Sequence, residues 1–466
     1  MSADLAIMSG REAASAIRSG KVTASDVAKA SLDRIETLNP DINAYTLVTA
    51  DRALAEADAV DKAFATGDDP GPLAGVTFSV KNLFDLAGEV TLAGSKINVD
   101  DPPAARDATS VERLCAAGAI CLGATNMGEY AYDFVTVNAH YGATRNPHDL
   151  TRSAGGSSGG SGAAVAGGLG AISLGTDTNG SIRVPSSFCG IWGLKPGYGQ
   201  LSRAGGFLFS GSLDTIGVLG RDVADLASSF DAMAGHDARD PVCRTGAPEP
   251  AMPSLDAGLS GLRISRLGGY FRKGWTDDIA AIMQAVGDAL DLASDIELPK
   301  PELARSAAYA ITATEGGEFH RHRLRQRAAD YDPADRDRFL AGSLVPAEWY
   351  LQAQRFRTWW HHQMQDVFAN ADILIAPATP LAAPLLDQTN FELDGVAYPL
   401  RPNIGLWTQP ITLIGLPVVA APVHIPGQLP LAVQIIGKPG SEPDLLRVAR
   451  FLEASGTCAA PVAGTV

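Results

Sequence analysis

From residue 26 onward the apolar positions fall at Val27, Ala28, Leu32 and Ile35, a spacing that lines one face of a helix, and Thr23-Ala24-Ser25 ahead of them supplies capping side chains. A second helix is predicted over residues 53–64. The pattern then changes period. Gly75-Val76-Thr77-Phe78-Ser79-Val80 is rich in β-branched residues and reads as a strand that ends at Lys81. A helix over 111–117 and a strand over 119–123 repeat the alternation, as do an apolar helix at 163–166 and a strand at 171–175. Alternating helix and strand predicts an α/β fold with a buried, largely parallel sheet.

Residues 241–253 are rich in proline, glycine and small side chains, which predicts an exposed connection. Between residues 277 and 365 the periodicity is mostly helical and the charge density is high. Strand character returns at Asp372-Ile373-Leu374-Ile375-Ala376-Pro377 and at 431–436, and a closing helix is expected at 444–453. The organisation expected is one domain over 1–466, with a helical insertion at 241–365 covering the substrate pocket. No internal repeat is visible.

The chain has 466 residues, 46% of them apolar and 19% charged, enough to bury a large core and unlike a disordered polymer. Its formal charge of -15 repels phosphate and anionic lipid, so neither nucleic acid nor membrane is an expected partner, and a small molecule is. Five cysteines without CxxC spacing suit neither a zinc site nor a disulfide framework, which points to a reducing, cytoplasmic setting. Neither a secretory leader nor a membrane span is expected, because residues 1–20 lack an apolar core segment and no later stretch is long and apolar enough.

Two clusters of small residues carry the candidate chemistry. Residues 153–162 read SAGGSSGGSG, the composition of a flexible linker. They run directly into an apolar helix and a strand, with no room for a domain break. Gly155-Gly156-Ser157-Ser158-Gly159 also matches G-x-S-x-G, but that nucleophile elbow follows a strand, and the polar, proline-containing 146–152 does not predict one. A phosphate loop fails because no lysine lies between Lys96 and Lys195. The second cluster, Gly175-Thr176-Asp177-Thr178-Asn179-Gly180-Ser181-Ile182-Arg183, follows a strand and opens a helix. Successive N–H groups at such a turn form a concavity for the negative oxygen of a carbonyl under attack, although a turn that simply needs small residues would look the same.

The two clusters together resemble the amidase signature family, with further likeness at Val80-Lys81-Asn82-Leu83-Phe84-Asp85, Phe188-Cys189-Gly190, Gly193-Leu194-Lys195-Pro196 and residues 431–437. The resemblance implies a large mixed, largely parallel sheet covered by helices on both faces. It implies Ser181 as nucleophile, Ser157 as a bridging serine in a cis peptide and Lys81 as base, with no cofactor or metal. The backbone N–H groups of Thr178, Asn179, Gly180 and Ser181 would form the oxyanion hole, with Asp177 and Arg183 paired beneath as supports. Asn179 departs from the glycine common at its position, and asparagine tolerates unusual backbone angles well.

That trio also makes chemical sense. A serine hydroxyl needs a base, and none of the eight histidines, His320, His322, His361 and His362 among them, falls in the serine clusters. A lysine can serve only when neutral, which costs about 4.6 kcal/mol at pH 7 from its ordinary pKa. Burial after an apolar strand lowers that cost.

Within the family the chain is similar to bacterial hydrolases that release ammonia from the ureido acid 1-carboxybiuret in cyanuric acid degradation. The likeness lies in residues 92–98, Thr144-Arg145-Asn146-Pro147-His148-Asp149, Asn179, Thr314-Glu315-Gly316-Gly317 and residues 349–357. It implies a small amide or ureido acid as substrate, held at Tyr309 and Arg338, and a short helical partner subunit in a 2:2 heterotetramer. A solvated helix face is the competing reading for either residue. The glutaminase component of a glutamyl-tRNA(Gln) amidotransferase, an amidase of another aliphatic or aryl amide, and a binding protein that keeps only the fold remain the alternatives.

Overall fold

The computed structural model describes residues 2–292 and 294–464. Eleven strands form one sheet: β1 (Tyr45–Val48), β2 (Thr77–Lys81), β3 (Ile120–Thr125), β4 (Ile172–Asp177), β5 (Trp192–Lys195), β6 (Thr215–Gly220), β7 (Ile264–Leu267), β8 (Asp295–Ile296), β9 (Ile373–Pro377), β10 (Val418–Val423) and β11 (Leu431–Gly437). Their spatial order is β1-β3-β2-β4-β6-β5-β10-β11-β9-β7-β8.

The sheet is mixed, as expected, but less parallel than expected. β2 pairs parallel with β3 and β4, and β7 pairs parallel with β9 and β8. The six other pairings, from β4 through β6, β5, β10 and β11 to β9 and at the β1 edge, are antiparallel. The reason is connection length. β10 returns as β11 through residues 424–430, too short for the crossover a parallel return needs. Helix and strand alternate where the sheet is parallel, and that alternation does not hold across the middle of the sheet.

Side-chain alternation along a strand explains the two-sided core. On β3, Ile120 and Leu122 enter one apolar cluster and Cys121 the other, and on β6 Leu219 and Val218 divide likewise. One face carries α1 (Ala24–Ile42) and α2 (Gly159–Ala166). α1 is fastened by a capping box between Thr23 and Asp26, and it runs beyond the expected residue 35 to a left-handed Asn43. The other face carries α3 (Pro301–Arg327), α4 (Pro333–Gly342), α5 (Ala347–Asn370) and α6 (Glu442–Ala454) among others.

The span 241–365 is not purely helical, since β7 and β8 lie inside it and extend the sheet. Residues 241–253 are mostly exposed. The polar stretch before the serine cluster does hold a strand, Asp149–Ser153, but outside the main sheet: it pairs with Arg145–Asn146 in a two-stranded hairpin and bridges to Leu385 on its other side. All five cysteines are free thiols. Among the described residues no helix is long and apolar enough to cross a membrane.

Candidate active site

β2 delivers Lys81 to the centre of the molecule. Its side chain is fully buried, and Nζ lies 2.7 Å from Ser157 Oγ and 2.8 Å from Thr176 Oγ1 on the neighbouring β4. Burial pushes the ammonium down to about 7, against the opposing pull of Asp214, Asp133 and Asp177. The lysine is therefore available as a base near neutrality.

The serine-glycine segment is no linker, since every residue from 153 to 197 is buried. The Gly156–Ser157 peptide is cis. Ser158 Oγ donates to Thr176 O and Ser161 Oγ to Leu174 O, which lays the start of α2 along β4. Gly160 allows this approach, because a Cβ there would stand 2.4 Å from both the N and O of Asn126. Ser157 O in turn accepts from Gly128 N and Thr136 Oγ1.

Ser181 sits on the turn between β4 and the short helix Arg183–Cys189, and is 3% exposed. Gly180 has φ of +144°, and a side chain there would meet Thr408 Oγ1 at 2.5 Å. Thr408 Oγ1 donates to Asn179 O and pins the turn from outside. Asp177 and Arg183 pair at 2.8 Å with both side chains wholly buried. Asp177 also accepts from Ile182 N, and Arg183 donates to Thr408 O, Thr412 Oγ1 and Gln434 Oε1, so every strong group there has a partner. Arg183 holds the Asp177 carboxyl below the usual range despite burial.

The backbone N–H groups of Thr178, Asn179, Gly180 and Ser181 donate to no acceptor among the described residues. Four neighbouring donors without acceptors in a buried turn are a costly arrangement that a substrate oxyanion would relieve.

Ser181 shares one small cavity with Asn179, Tyr132, Asp133, Tyr309 and Arg338. The cavity holds about 20 Å³, roughly one water's worth. The structure thus brings Tyr309 and Arg338 beside Ser181, and Lys81 beside Ser157. No hydrogen bond joins Ser157 to Ser181 among the described residues. The Arg338 guanidinium lies 3.8 Å from the Tyr132 ring centroid, donates to Tyr132 O, and stands 3.3 Å from Asp335 Oδ1. Tyr309 is 44% exposed and also lines a larger groove of about 550 Å³ with Arg305 and Tyr398, which makes it the shared wall between cavity and groove.

Among the described residues, histidine is absent from this constellation. His320 is buried in an aromatic cluster with Tyr130, Tyr331 and Phe339, Nδ1 paired with Tyr331 Oη and the ring held neutral by burial, its pKa down at about 3. Sequence reasoning passed over Thr176, although it stands within the second cluster, and over Asp214, which accepts from Thr178 Oγ1 and from the backbone of Phe209 and Ser210. Tyr132, Asp133 and Thr312 carry no signal in the sequence, because they reach the cavity from other segments.

The chain is similar to known proteins over nearly its whole length. Residues 26–446 match the family model described as Amidase. The chain is 48% identical to AtzE, a component of the 1-carboxybiuret hydrolase of Pseudomonas sp. (strain ADP), over 94% of this chain and 97% of that one. It is 35% identical to the corresponding component of the glutamyl-tRNA(Gln) amidotransferase of Carboxydothermus hydrogenoformans, over 97% of each. A solved structure described as a vestigial protein complex revealing the origins of an s-triazine catabolic enzyme superimposes with a TM-score of 0.96 and 47% identity, covering 97% of this chain and 99% of that one. A bacterial aryl acylamidase superimposes with a TM-score of 0.86 and 26% identity, covering 96% of each. The chain belongs to the amidase family and is an amidohydrolase.

Proposed function

We propose that this enzyme hydrolyses a C–N bond of a small ureido acid such as 1-carboxybiuret and releases ammonia, through Ser181, Ser157 and Lys81. The observation that carries the reading is the fully buried Lys81, its Nζ 2.7 Å from Ser157 Oγ, on a fold whose Ser181 opens into a cavity with Arg338. Neutral Lys81 takes the proton of Ser157, which takes that of Ser181 as Ser181 Oγ bonds to the substrate carbonyl carbon. The relay between the serines closes when substrate is bound. The negative oxygen is held by the free N–H groups of residues 178–181. The C–N bond then breaks, the proton returns to the leaving nitrogen, ammonia departs, and water releases the acyl group from Ser181 by the same route.

Arg338 and Tyr309 hold the substrate carboxylate, the guanidinium by charge and the phenol by hydrogen bond. The helices of 277–365 serve as the cover that brings these two side chains over the nucleophile. Support for the ureido acid comes from the relative named for 1-carboxybiuret hydrolysis, at 48% identity against 35% for the amidotransferase component. The enzyme works in the cytoplasm in a 2:2 assembly with a short helical partner subunit. The solved relative described as a protein complex and the exposed apolar side chains Leu344, Trp349 and Leu351 support that assembly.

The test is ammonia release from purified protein on 1-carboxybiuret, biuret, allophanate, glutamine and simple aliphatic amides. Selective turnover of the ureido acids is expected. Turnover of glutamine alone would replace this substrate with that of the amidotransferase.

A further inference from the structure

Asn179 occupies the cavity twice over, with its backbone N–H among the oxyanion donors and its side chain on the wall. The residue is 8% exposed, and its Oδ1 is buried with no hydrogen-bond partner. The orientation of that amide can be argued from its neighbour. Asn179 Nδ2 lies 3.3 Å from Thr312 Oγ1. Thr312 has one hydroxyl hydrogen, and its Oγ1 is 2.9 Å from Ala308 O and 3.0 Å from Tyr309 O of the preceding turn of α3. With its hydrogen committed to the helix, that hydroxyl can only accept from Asn179. The amide nitrogen therefore faces Thr312, and the amide oxygen is the buried acceptor left without a donor, on a residue that lines the cavity.

A buried carbonyl oxygen without a donor is destabilising, and sites built around such a group favour ligands that supply the missing partner. We infer that Asn179 Oδ1 accepts a hydrogen bond from a substrate N–H adjacent to the scissile carbonyl, and so selects ureido and imide-like compounds over amides with carbon at that place. Asn179 and Ser181 line the same small cavity, so the acceptor and the carbonyl under attack are neighbours in it. Tyr132 Oη, a buried hydroxyl without a partner on another residue lining the same cavity, complements it as a donor to a carbonyl oxygen further along the substrate. A chain that alternates C=O and N–H, with a carboxylate for Arg338, matches this order of groups. The inference rests on the functional reading above and refines its specificity.

The experiment compares kcat/KM within pairs that differ only by N–H or CH2: allophanate against malonamate, and biuret against malonamide. In the wild-type enzyme the N–H member is expected to be preferred. Asn179→Gly should lower that preference roughly tenfold or more. Asn179→Asp, which keeps an acceptor in place, should retain the preference even where both rates fall. Thr312→Val removes the group that orients the amide and should lower the preference partway, giving an independent readout if the loop variants fold poorly. An unchanged ratio in both Asn179→Gly and Thr312→Val overturns the inference while ureido turnover stands. Turnover of glutamine with no turnover of any ureido compound removes the functional reading as well.

Discussion

Lys81 can be neutral near pH 7 because its side chain is fully buried. With its ammonium lowered to about 7 by burial, kcat/KM should rise with pH through about 7 and flatten above, since only the neutral amine accepts a proton. Lys81→Arg, charged at every working pH, should be inactive across the profile, and a residual limb near pH 7 in that variant would assign the titration elsewhere. The shift also bears on stability. An unfolded lysine keeps its ordinary value of 10.5, so from about 7 to 10.5 the unfolded chain binds a proton that the folded one lacks, and this group's contribution to stability grows with pH across that window. Ser181→Ala should lower turnover by roughly 10³-fold or more while the melting temperature holds, because only a hydroxyl is lost. These positions were legible in the sequence. The two clusters are local, and the lysine ends a strand of clear pattern. Thr176 and Asp214 were not, since their roles are defined by what lies across from them.

The turn that carries Ser181 depends on what braces it from beneath. Arg183 joins β4, through Asp177, to Thr408, Thr412 and Gln434 on β11. Removing one partner of a buried pair leaves an uncompensated charge, so Arg183→Met should cost about 3–5 kcal/mol by denaturant unfolding, and Asp177→Asn together with Arg183→Met should cost less than the sum of the two. A smaller brace acts at α2. Gly160→Ala places a methyl against the Asn126 backbone and should destabilise by about 1–3 kcal/mol, with activity falling in step because Ser157 leads this helix. Helix and strand identities followed from periodicity and capping, as the Thr23–Asp26 box illustrates. The hairpin strand at 149–153 escaped, being a short polar pair held by its neighbours rather than by an apolar face.

At the scale of the molecule, Leu344, at 81% exposed, lies just past α4, and Trp349, at 59%, lies in the first turn of α5. Large apolar side chains gathered on one exposed surface mark an interface. If they meet the proposed short helical partner, light scattering of the co-expressed pair should report a 2:2 mass, and Leu344→Glu with Trp349→Glu should return the chain to its unaccompanied mass without unfolding it. Co-purification unaffected by that double variant would place the partner elsewhere.

The sequence by itself determined what is local or periodic: the alternation of helix and strand, the two serine clusters, the strand that ends at Lys81, and the lack of any histidine beside them. Tertiary structure alone decided the antiparallel middle of the sheet, because strand order follows connection length and long-range pairing. It decided that Arg338 and Tyr309, which family resemblance alone had singled out within the helical span, share a cavity with Ser181. It also decided the direction of the Asn179 amide, which depends on a threonine hydrogen already committed to a helix far along the chain. Such facts are relations between distant segments, and no single segment carries them.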